Sequence, residues 1–336
     1  MLSDVRNDAR APVTAATLFL CAIVLGAILG ALAPVSAETL SQGIDLTLLA
    51  MIFLLFFELR PSAVLNAFGN IRFLGLAWTA NFLIIPAIGF GIATLVFSGE
   101  ALLFAGLMIY FLAPCTDWFL GFTRMANGDT ELGAALIPVN IITQLLLFPL
   151  WLWGISVSAG LVDLAAMPAL LLQWFVIPLA AAQAVRFLVG NLLPVAACDW
   201  TLSWISHVVP FVLAILIFQI FAVHIGTIAA HLNMVLLVAF AVCLFFVATL
   251  LVGEVLARFA RLTHPQRTLL SMTMAARNAP LMLALTAVAV PDQPLISAVI
   301  VAGMLVEIPL LTALKQVMLK RSRGGLNAHV IRANRL

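Results

Sequence analysis

Long apolar stretches separated by short polar breaks run along the whole chain. A membrane-spanning helix needs about 20 mostly apolar residues, and the polar breaks divide the chain into ten stretches of roughly that size. Lipid offers no partner to a free backbone N–H or C=O, so each stretch is predicted to be helical. The ten predicted spans are 13–34, 44–58, 72–97, 101–126, 131–156, 166–189, 202–224, 231–256, 266–290 and 294–317.

The composition excludes a soluble protein. Of the 336 residues, 64% are hydrophobic and 9% are charged, whereas a soluble domain carries about 25% charged residues. The predicted fold class is therefore an all-α integral membrane protein. A formal net charge of +2 gives no reason to expect a nucleic-acid partner. The four cysteines are scattered, so the sequence predicts neither a disulfide framework nor a metal cluster, and it predicts no cofactor.

The basic residues predict the orientation of the spans. With ten spans, 15 of the 16 Lys and Arg residues fall on one side of the membrane. Basic residues accumulate on the cytoplasmic side, so both termini are expected in the cytoplasm and the protein in the cell (inner) membrane. The sixteenth basic residue, Arg277, lies inside the ninth predicted span.

The ten spans divide into two halves of five. Because each half has an odd number of spans, an internal repeat has to be inverted in the membrane. We therefore expect a single membrane domain made of a first five-helix repeat at 1–160 and an inverted second repeat at 161–320, followed by a cytoplasmic tail at 321–336.

Proline-containing breaks interrupt the fourth and ninth spans, at 113–117 and 275–280. Pro114 and Pro280 lie 166 positions apart, and Asn140 and Glu307 in the following spans lie 167 apart. The similar offsets favour an internal duplication. Interrupted spans at corresponding places in two halves are the best sequence indication of a transporter site. The alternative is a pair of simple proline kinks.

Three ionisable residues lie at membrane depth, where each costs at least ~2.5–3.5 kcal/mol to insert. Asp117 and Arg277 lie beside the two breaks, so a buried ion pair between them is predicted at the helix crossing. The pair is either purely structural, or Arg277 also faces substrate. Glu307 has no basic neighbour in the sequence, and a carboxyl in that environment can carry a proton at neutral pH. It either couples transport to protons or bonds a neighbouring helix.

Cys115 lies directly after Pro114, where the helix is open. A helix N-terminus favours the thiolate, and a thiolate is a soft ligand for a thiophilic centre. A single thiol gives weak, reversible capture, which suits a carrier. Thr116, Asn140 and Asn278 are further candidates for substrate binding, although such residues also form hydrogen bonds between helices.

Two motifs carry a resemblance to a known family. Residues 112–116, Leu-Ala-Pro-Cys-Thr, with Asn-Gly-Asp at 127–129, resemble the fourth span of arsenical-resistance permeases. Residues 303–309, Gly-Met-Leu-Val-Glu-Ile-Pro, resemble the last span of the same family. The layout of five plus five spans is similar to that of the wider bile acid:sodium symporter superfamily, and this likeness covers nearly the whole chain.

The resemblance implies export of arsenite, as arsenous acid, with Cys115 and Glu307 as the essential pair and inward proton movement as the driving force. It also implies a core domain, in which broken helices 4 and 9 cross, packed against a panel domain. The sodium-coupled branch has an acid- and amide-rich ninth span that is missing here. Arg277 at the equivalent place would repel sodium. Proton antiport is therefore favoured over sodium coupling.

Two rival functions remain open at this point. The first is a sodium- or proton-coupled symporter for a small organic anion, with Arg277 as the carboxylate clamp. The second is an intramembrane enzyme or a sensor. An enzyme needs a base beside its nucleophile, and no histidine is placed near Cys115 in the sequence, while a sensor usually carries a soluble output domain.

Overall fold

The computed structural model describes residues 2–33, 39–58, 70–116, 118–159, 172, 176–192, 194–230, 232–290 and 293–333. Over these residues the chain is almost entirely helical. The helices, numbered in chain order, are α1 (Leu2–Leu32), α2 (Ile44–Glu58), α3 (Ile71–Thr79), a π-helical segment (Ala80–Ile84), α4 (Ile85–Val96), α5 (Ala101–Leu112), α6 (Trp118–Met125), α7 (Thr130–Ala159), α8 (Ile177–Leu192), α9 (Val195–Ala230), α10 (Leu232–Phe259), α11 (His264–Ala275), α12 (Ala279–Ala289) and α13 (Pro294–Ala333).

Every predicted span contains a described helix, which confirms an all-α membrane protein. Within the described part of the chain, five helical stretches are long and apolar enough to cross a membrane: Ile71–Val96, Thr130–Ile155, Val208–Gly226, Leu232–Phe259 and Pro294–Arg321. Shorter apolar helices occupy Thr17–Leu32, Thr39–Leu54, Ala101–Leu112 and Ile177–Leu192.

Several helices extend beyond their predicted spans. α1 begins at Leu2 rather than near 13, and α13 continues to Ala333 rather than ending near 317. The predicted tail at 321–336 therefore begins inside a helix. The physical reason is that apolarity marks only the part of a helix that lies in lipid, whereas backbone hydrogen bonding continues into the polar segment that follows.

Both predicted breaks are present. The fourth span is divided into α5 and α6, and the ninth into α11 and α12. The first pieces end at Leu112 and Ala275, 163 positions apart, so the two prolines do not hold equivalent places. Pro114 lies in the extended segment between its two helices, whereas Pro280 is the second residue of α12. Proline is compatible with the first turn of a helix, where its missing N–H would have no intrahelical partner.

The helices pack as two groups. α1, α2, α8 and α9 form one, which we call the four-helix group: α1 packs along α9, and α2 packs against α8 and α9. The second, the crossing group, contains α3–α7 and α10–α13. Within the four-helix group, Gly26 and Gly30 let α1 approach α9 closely, because an added Cβ would clash with the Phe218 carbonyl oxygen at Gly26 and with the Ala222 carbonyl oxygen at Gly30. Small residues spaced by four commonly permit such contacts in membranes.

One end of the crossing group, which we call the basic end, collects charged side chains. Glu254 on α10 pairs with Arg258 at 2.8 Å, with Arg267 of α11 at 3.2 Å and with Arg321 of α13 at 2.9 Å. At the same end the Asp129 N–H donates to the Pro265 carbonyl oxygen at 3.1 Å. α7 and α11 therefore start side by side. The segments whose basic residues the charge count assigns to one side of the membrane come together at this basic end.

Candidate functional site

The two broken helices cross at their breaks and are bonded there by the backbone. Pro114 and Arg277 form an isolated antiparallel bridge. The Cys115 N–H donates to the Ala276 carbonyl oxygen at 3.1 Å, and the Asn278 N–H donates to the Ala113 carbonyl oxygen at 2.9 Å. Pro114 has no N–H and cannot continue α5 as a regular helix, so the extended backbone of one break is satisfied by the other. We call residues 113–116 and 276–278 the crossing.

Cys115 and Thr116 stand on the first strand of the crossing. Cys115 is 1% exposed and Thr116 is 5% exposed. The Asn278 side chain of the second strand donates from Nδ2 to Thr116 Oγ1 at 3.1 Å, and its Oδ1 accepts the Leu281 N–H at 3.3 Å as the N-cap of α12. The structure thus brings together three of the predicted substrate-binding residues: Cys115, Thr116 and Asn278.

Glu307 on α13 lies against the second strand of the crossing and is fully buried. Its Oε1 accepts the Arg277 backbone N–H at 2.8 Å and the Trp118 indole N–H at 3.2 Å. Its Oε2 accepts the Tyr110 hydroxyl at 3.0 Å. A carboxylate that receives three donors is well stabilised for its burial. Glu307 is therefore connected directly to the peptide that pairs with Pro114.

Arg277 is also fully buried, and its guanidinium bonds to backbone oxygens. Nη1 donates to the Phe111 carbonyl oxygen at 3.0 Å, and Nη2 donates to those of Thr273 at 2.8 Å and Met274 at 2.9 Å. The predicted partner, Asp117, lies outside the described residues, so the Asp117–Arg277 ion pair stays a prediction. The guanidinium also lies over the Phe245 ring, 5.5 Å from its centroid.

Asn140 is fully buried on α7, and neither of its side-chain polar atoms has a hydrogen-bond partner among the described residues. Gln144, one turn further along α7, has the same two properties. A Cβ at Gly133 would contact Leu269 of α11 at 3.1 Å. Asn140 lies seven residues beyond Gly133, and Ala276 lies seven beyond Leu269. Since both helices start at the basic end and rise about 1.5 Å per residue, Asn140 is level with the crossing. It does not bond the crossing directly.

Sequence reasoning missed two groups of residues at this site. Tyr110 and Trp118, the two side-chain donors to Glu307, could have been suspected, because Tyr110 is the chain's single tyrosine and stands in an apolar span. Asn81, in the π-helical segment, donates from Nδ2 to Thr273 Oγ1 at 3.0 Å and is fully buried. Short π-helical segments often occur at functional sites. No signal in the sequence distinguishes Asn81 from an ordinary interhelical amide.

A cavity of about 350 Å³ lies at the boundary of the two helix groups, between α1, α6 and α13. It is mostly apolar, and its lining includes Phe19, Phe122, Met304 and Ile308. Lys315 lines it towards the basic end. Met304 and Ile308 flank Glu307 along α13, so the cavity lies beside the helix that carries the buried carboxylate.

Two comparisons with known proteins relate this architecture to transporters. Over 308 residues the chain is 25% identical to the arsenical-resistance protein Acr3 of Corynebacterium glutamicum. The aligned region covers 86% of this chain and 81% of that protein. The model of the sodium bile acid symporter family matches residues 45–231. This match covers more than half of the sequence, and its proteins are membrane transporters. The chain belongs to the sodium bile acid symporter family.

Proposed function

We propose that the chain exports arsenite, as arsenous acid, from the cytoplasm across the cell (inner) membrane by proton antiport, with antimonite as a second possible substrate. The observation that carries the proposal is the position of Cys115: its thiol stands on the crossing, whose opposite strand bonds the buried Glu307. The similarity to an arsenical-resistance protein over most of the chain supports the same substrate.

Capture at Cys115 is a simple exchange. The sulfur forms a bond to arsenic while one arsenic–oxygen bond breaks, and the released hydroxyl leaves with the thiol proton as water. No oxidant or reductant is involved. A thiolate is a soft ligand suited to trivalent arsenic. Among the described residues, no group of three His, Cys, Asp or Glu side chains surrounds the site, so one thiol gives reversible capture.

Neutral polar side chains complete the proposed binding site. Arsenous acid is uncharged near neutral pH and offers hydroxyl groups that both donate and accept. Thr116 and Asn278 have the same dual capacity and are already bonded to each other beside Cys115. Asn140 is level with the crossing and has amide atoms without a hydrogen-bond partner among the described residues. A buried amide without a partner costs about 1–3 kcal/mol, which substrate hydroxyls would offset.

Glu307 is the proposed proton carrier. It takes a proton from outside when the carrier is empty and releases it inside to reset the cycle. Its link to the Arg277 N–H supports coupling, because a change in the protonation of Glu307 alters a hydrogen bond to the strand that pairs with Pro114 and Cys115.

We further propose ten spans arranged as two inverted repeats, 1–160 and 161–320, with the segment 321–336 and both termini in the cytoplasm. Support comes from the antiparallel bridge between the two breaks and from the meeting of basic segments at one end. We assign the four-helix group to the expected panel domain and the crossing group to the expected core domain. The cavity between α1, α6 and α13 lies at their boundary, where rigid-body alternation would open a path for substrate.

The family match also favours a second candidate, uptake of a small organic anion with sodium or protons. In that case Arg277 is the carboxylate clamp and Cys115 is dispensable. Three of the hydrogen bonds that its guanidinium can donate go to backbone carbonyls, which leaves Nε as its buried atom without a partner among the described residues. A bidentate clamp would first have to break bonds at the crossing.

Arsenite uptake into everted membrane vesicles tests the proposal. The variant is Cys115→Ser, with Cys243→Ser as the matched control, since Cys243 is an exposed thiol on α10. We expect Cys115→Ser to lower uptake at least about tenfold because serine is a hard ligand, and Cys243→Ser to match the wild type. Collapse of the proton gradient should abolish uptake by the wild type.

Each arm of this assay has an outcome against the proposal. Wild-type rates for Cys115→Ser would remove the thiol from the mechanism. Uptake that persists without a proton gradient would replace antiport by uniport. A panel of carboxylates, measured in right-side-out vesicles with and without sodium, tests the second candidate, which requires sodium- or proton-driven carboxylate uptake that Cys115→Ser leaves unchanged.

A further inference from the structure

The last turns of the two half-helices that lead into the crossing have three carbonyl groups whose usual donors are used elsewhere. In an α-helix the C=O of residue i accepts the N–H of residue i+4. The Phe111 carbonyl would take the Cys115 N–H, but that group donates to Ala276. The crossing therefore leaves the Phe111 oxygen without its helical donor.

The same diversion occurs twice in α11. The Thr273 carbonyl would take the Arg277 N–H, which donates to Glu307 instead. The Met274 carbonyl would take the Asn278 N–H, which donates to Ala113. All three oxygens belong to the C-terminal turns of α5 and α11, where the helix dipole places partial negative charge. Two negative helix ends thus meet in a fully buried place.

The Arg277 guanidinium bonds these three oxygens, at 2.8–3.0 Å. The Phe245 ring, over which the guanidinium lies, further stabilises its charge. This ring also stacks on Phe111 at a centroid distance of 4.2 Å. One side chain therefore replaces three missing backbone donors and neutralises both helix ends. Its own main chain forms the bridge to Pro114, so the cation is attached to the strand that it stabilises.

Secondary transporters with broken helices use the C-terminal ends of half-helices and unwound carbonyls to coordinate a mobile cation. Here a covalently attached cation holds such carbonyls. We propose that Arg277 is a tethered cation that fills a small-cation site at the crossing, so that this site takes no sodium during transport, and that deletion of the guanidinium turns it into a binding site for a small monovalent cation. This inference rests on the proposed function only for its transport readout.

The test uses purified full-length Arg277→Ala in detergent and in everted vesicles. The matched control is Arg186→Ala, because Arg186 also donates to a helix carbonyl, that of Phe57, and lies over the Phe57 ring at 5.9 Å, but in the four-helix group. Tm is measured in buffers of equal ionic strength that contain N-methylglucamine, tetramethylammonium, sodium or guanidinium at millimolar concentration. Arsenite uptake is measured in the same salts.

We expect wild-type Tm and uptake to be the same in all four salts. Arg277→Ala should lose uptake on the order of 100-fold in N-methylglucamine, as expected when a fully buried charged partner is removed. Its Tm should rise with guanidinium and, less strongly, with sodium, because a ligand that binds only the folded state stabilises it. Tetramethylammonium, which is too large for carbonyl contacts at 3 Å, should have no effect. Arg186→Ala should show no cation-specific rise.

Three results would overturn the inference. They are a sodium requirement in the wild type, an Arg277→Ala variant whose Tm is indifferent to guanidinium and sodium, and a rise of equal size for Arg186→Ala. If Arg277→Ala does not yield folded protein, Arg277→Met takes its place, since methionine fills the volume of the arginine stem without a charge or a donor and should show the same guanidinium-dependent rise in Tm. If wild-type vesicles transport no arsenite, the proposed function fails while the Tm series still decides the tethered cation.

Discussion

The two breaks share one backbone arrangement and carry different chemistry. Each is an extended segment that donates one N–H to the other. The first break, between α5 and α6, includes residues 113–116 and presents a thiol and a hydroxyl, Cys115 and Thr116. The second, between α11 and α12, spans three positions and presents a guanidinium and an amide, Arg277 and Asn278.

The paired residues at the centre explain the difference. Pro114 has no N–H, and the N–H of Arg277 is directed away from the bridge to Glu307. The first break therefore carries the proposed substrate ligand, Cys115. The second break extends the hydrogen-bond network to the buried Glu307 carboxylate and to the C-terminal ends of α5 and α11. In the proposed mechanism, one break of this near-symmetric backbone binds substrate, and the other supplies electrostatics and coupling.

The largest expected effect comes from replacing the ionisable carboxyl that accepts the N–H of the second break. Glu307→Gln keeps the shape and one acceptor oxygen for the Arg277 N–H, but it can neither hold a charge nor exchange a proton. We expect proton-driven arsenite uptake to fall on the order of 100-fold or more, as for loss of a group that transfers protons. Uptake into everted vesicles under an imposed proton gradient measures it.

The matched control for this variant is Glu254→Gln at the basic end, where the carboxylate pairs with Arg258, Arg267 and Arg321. Ion pairs near the surface contribute about 0–1 kcal/mol each, so uptake should not change. Proton-driven uptake by Glu307→Gln at the wild-type rate would show that the second break has no coupling role.

An intermediate effect should separate the two prolines. Pro114→Ala restores an N–H within the bridge and lets α5 continue as a helix, so we expect the pairing of the breaks to weaken and uptake to fall about tenfold or more, the consequence of misplacing binding groups by about 1 Å. Pro280→Ala replaces a residue in the first turn of α12, where no intrahelical donor is needed, and should change uptake less than about threefold. Equal losses from both variants would contradict the different places of the two prolines.

The smallest expected effect concerns the two roles of Asn278. Asn278→Ala removes both the cap of α12 and the bond to Thr116, with an expected loss of about 1–2 kcal/mol of unfolding free energy and a severalfold lower uptake. Asn278→Ser keeps a neutral cap acceptor but lacks the Nδ2 donor. We expect near wild-type Tm with lowered uptake for Ser. A Tm as low as that of the Ala variant would show that the bond to Thr116, rather than the cap, stabilises the fold. Thermal unfolding and vesicle uptake provide the two readouts.

Much of the fold could be predicted from local properties. Each apolar stretch contains a described helix, and prolines within polar interruptions located both breaks. The spacing of Pro114 and Pro280 suggested equivalent places in the two breaks. It could not show that their places differ, because the two breaks differ in length. The extent of α13 past 317 was missed since hydropathy reports the lipid-facing part of a helix and not its end.

The sequence by itself determined that the chain lies in a membrane, that two spans are interrupted, and that Asp117, Arg277 and Glu307 are charged residues whose placement at membrane depth needs a cause. The tertiary structure decided how Arg277 and Glu307 are connected to each other and to the segment that carries Cys115. Glu307 accepts hydrogen bonds from residues 30, 189 and 197 positions away, and Arg277 donates one to a carbonyl oxygen 166 positions away. Such pairs depend on the depth and rotation of packed helices. Hydropathy is a property of each segment alone, and it contains no information on which faces meet.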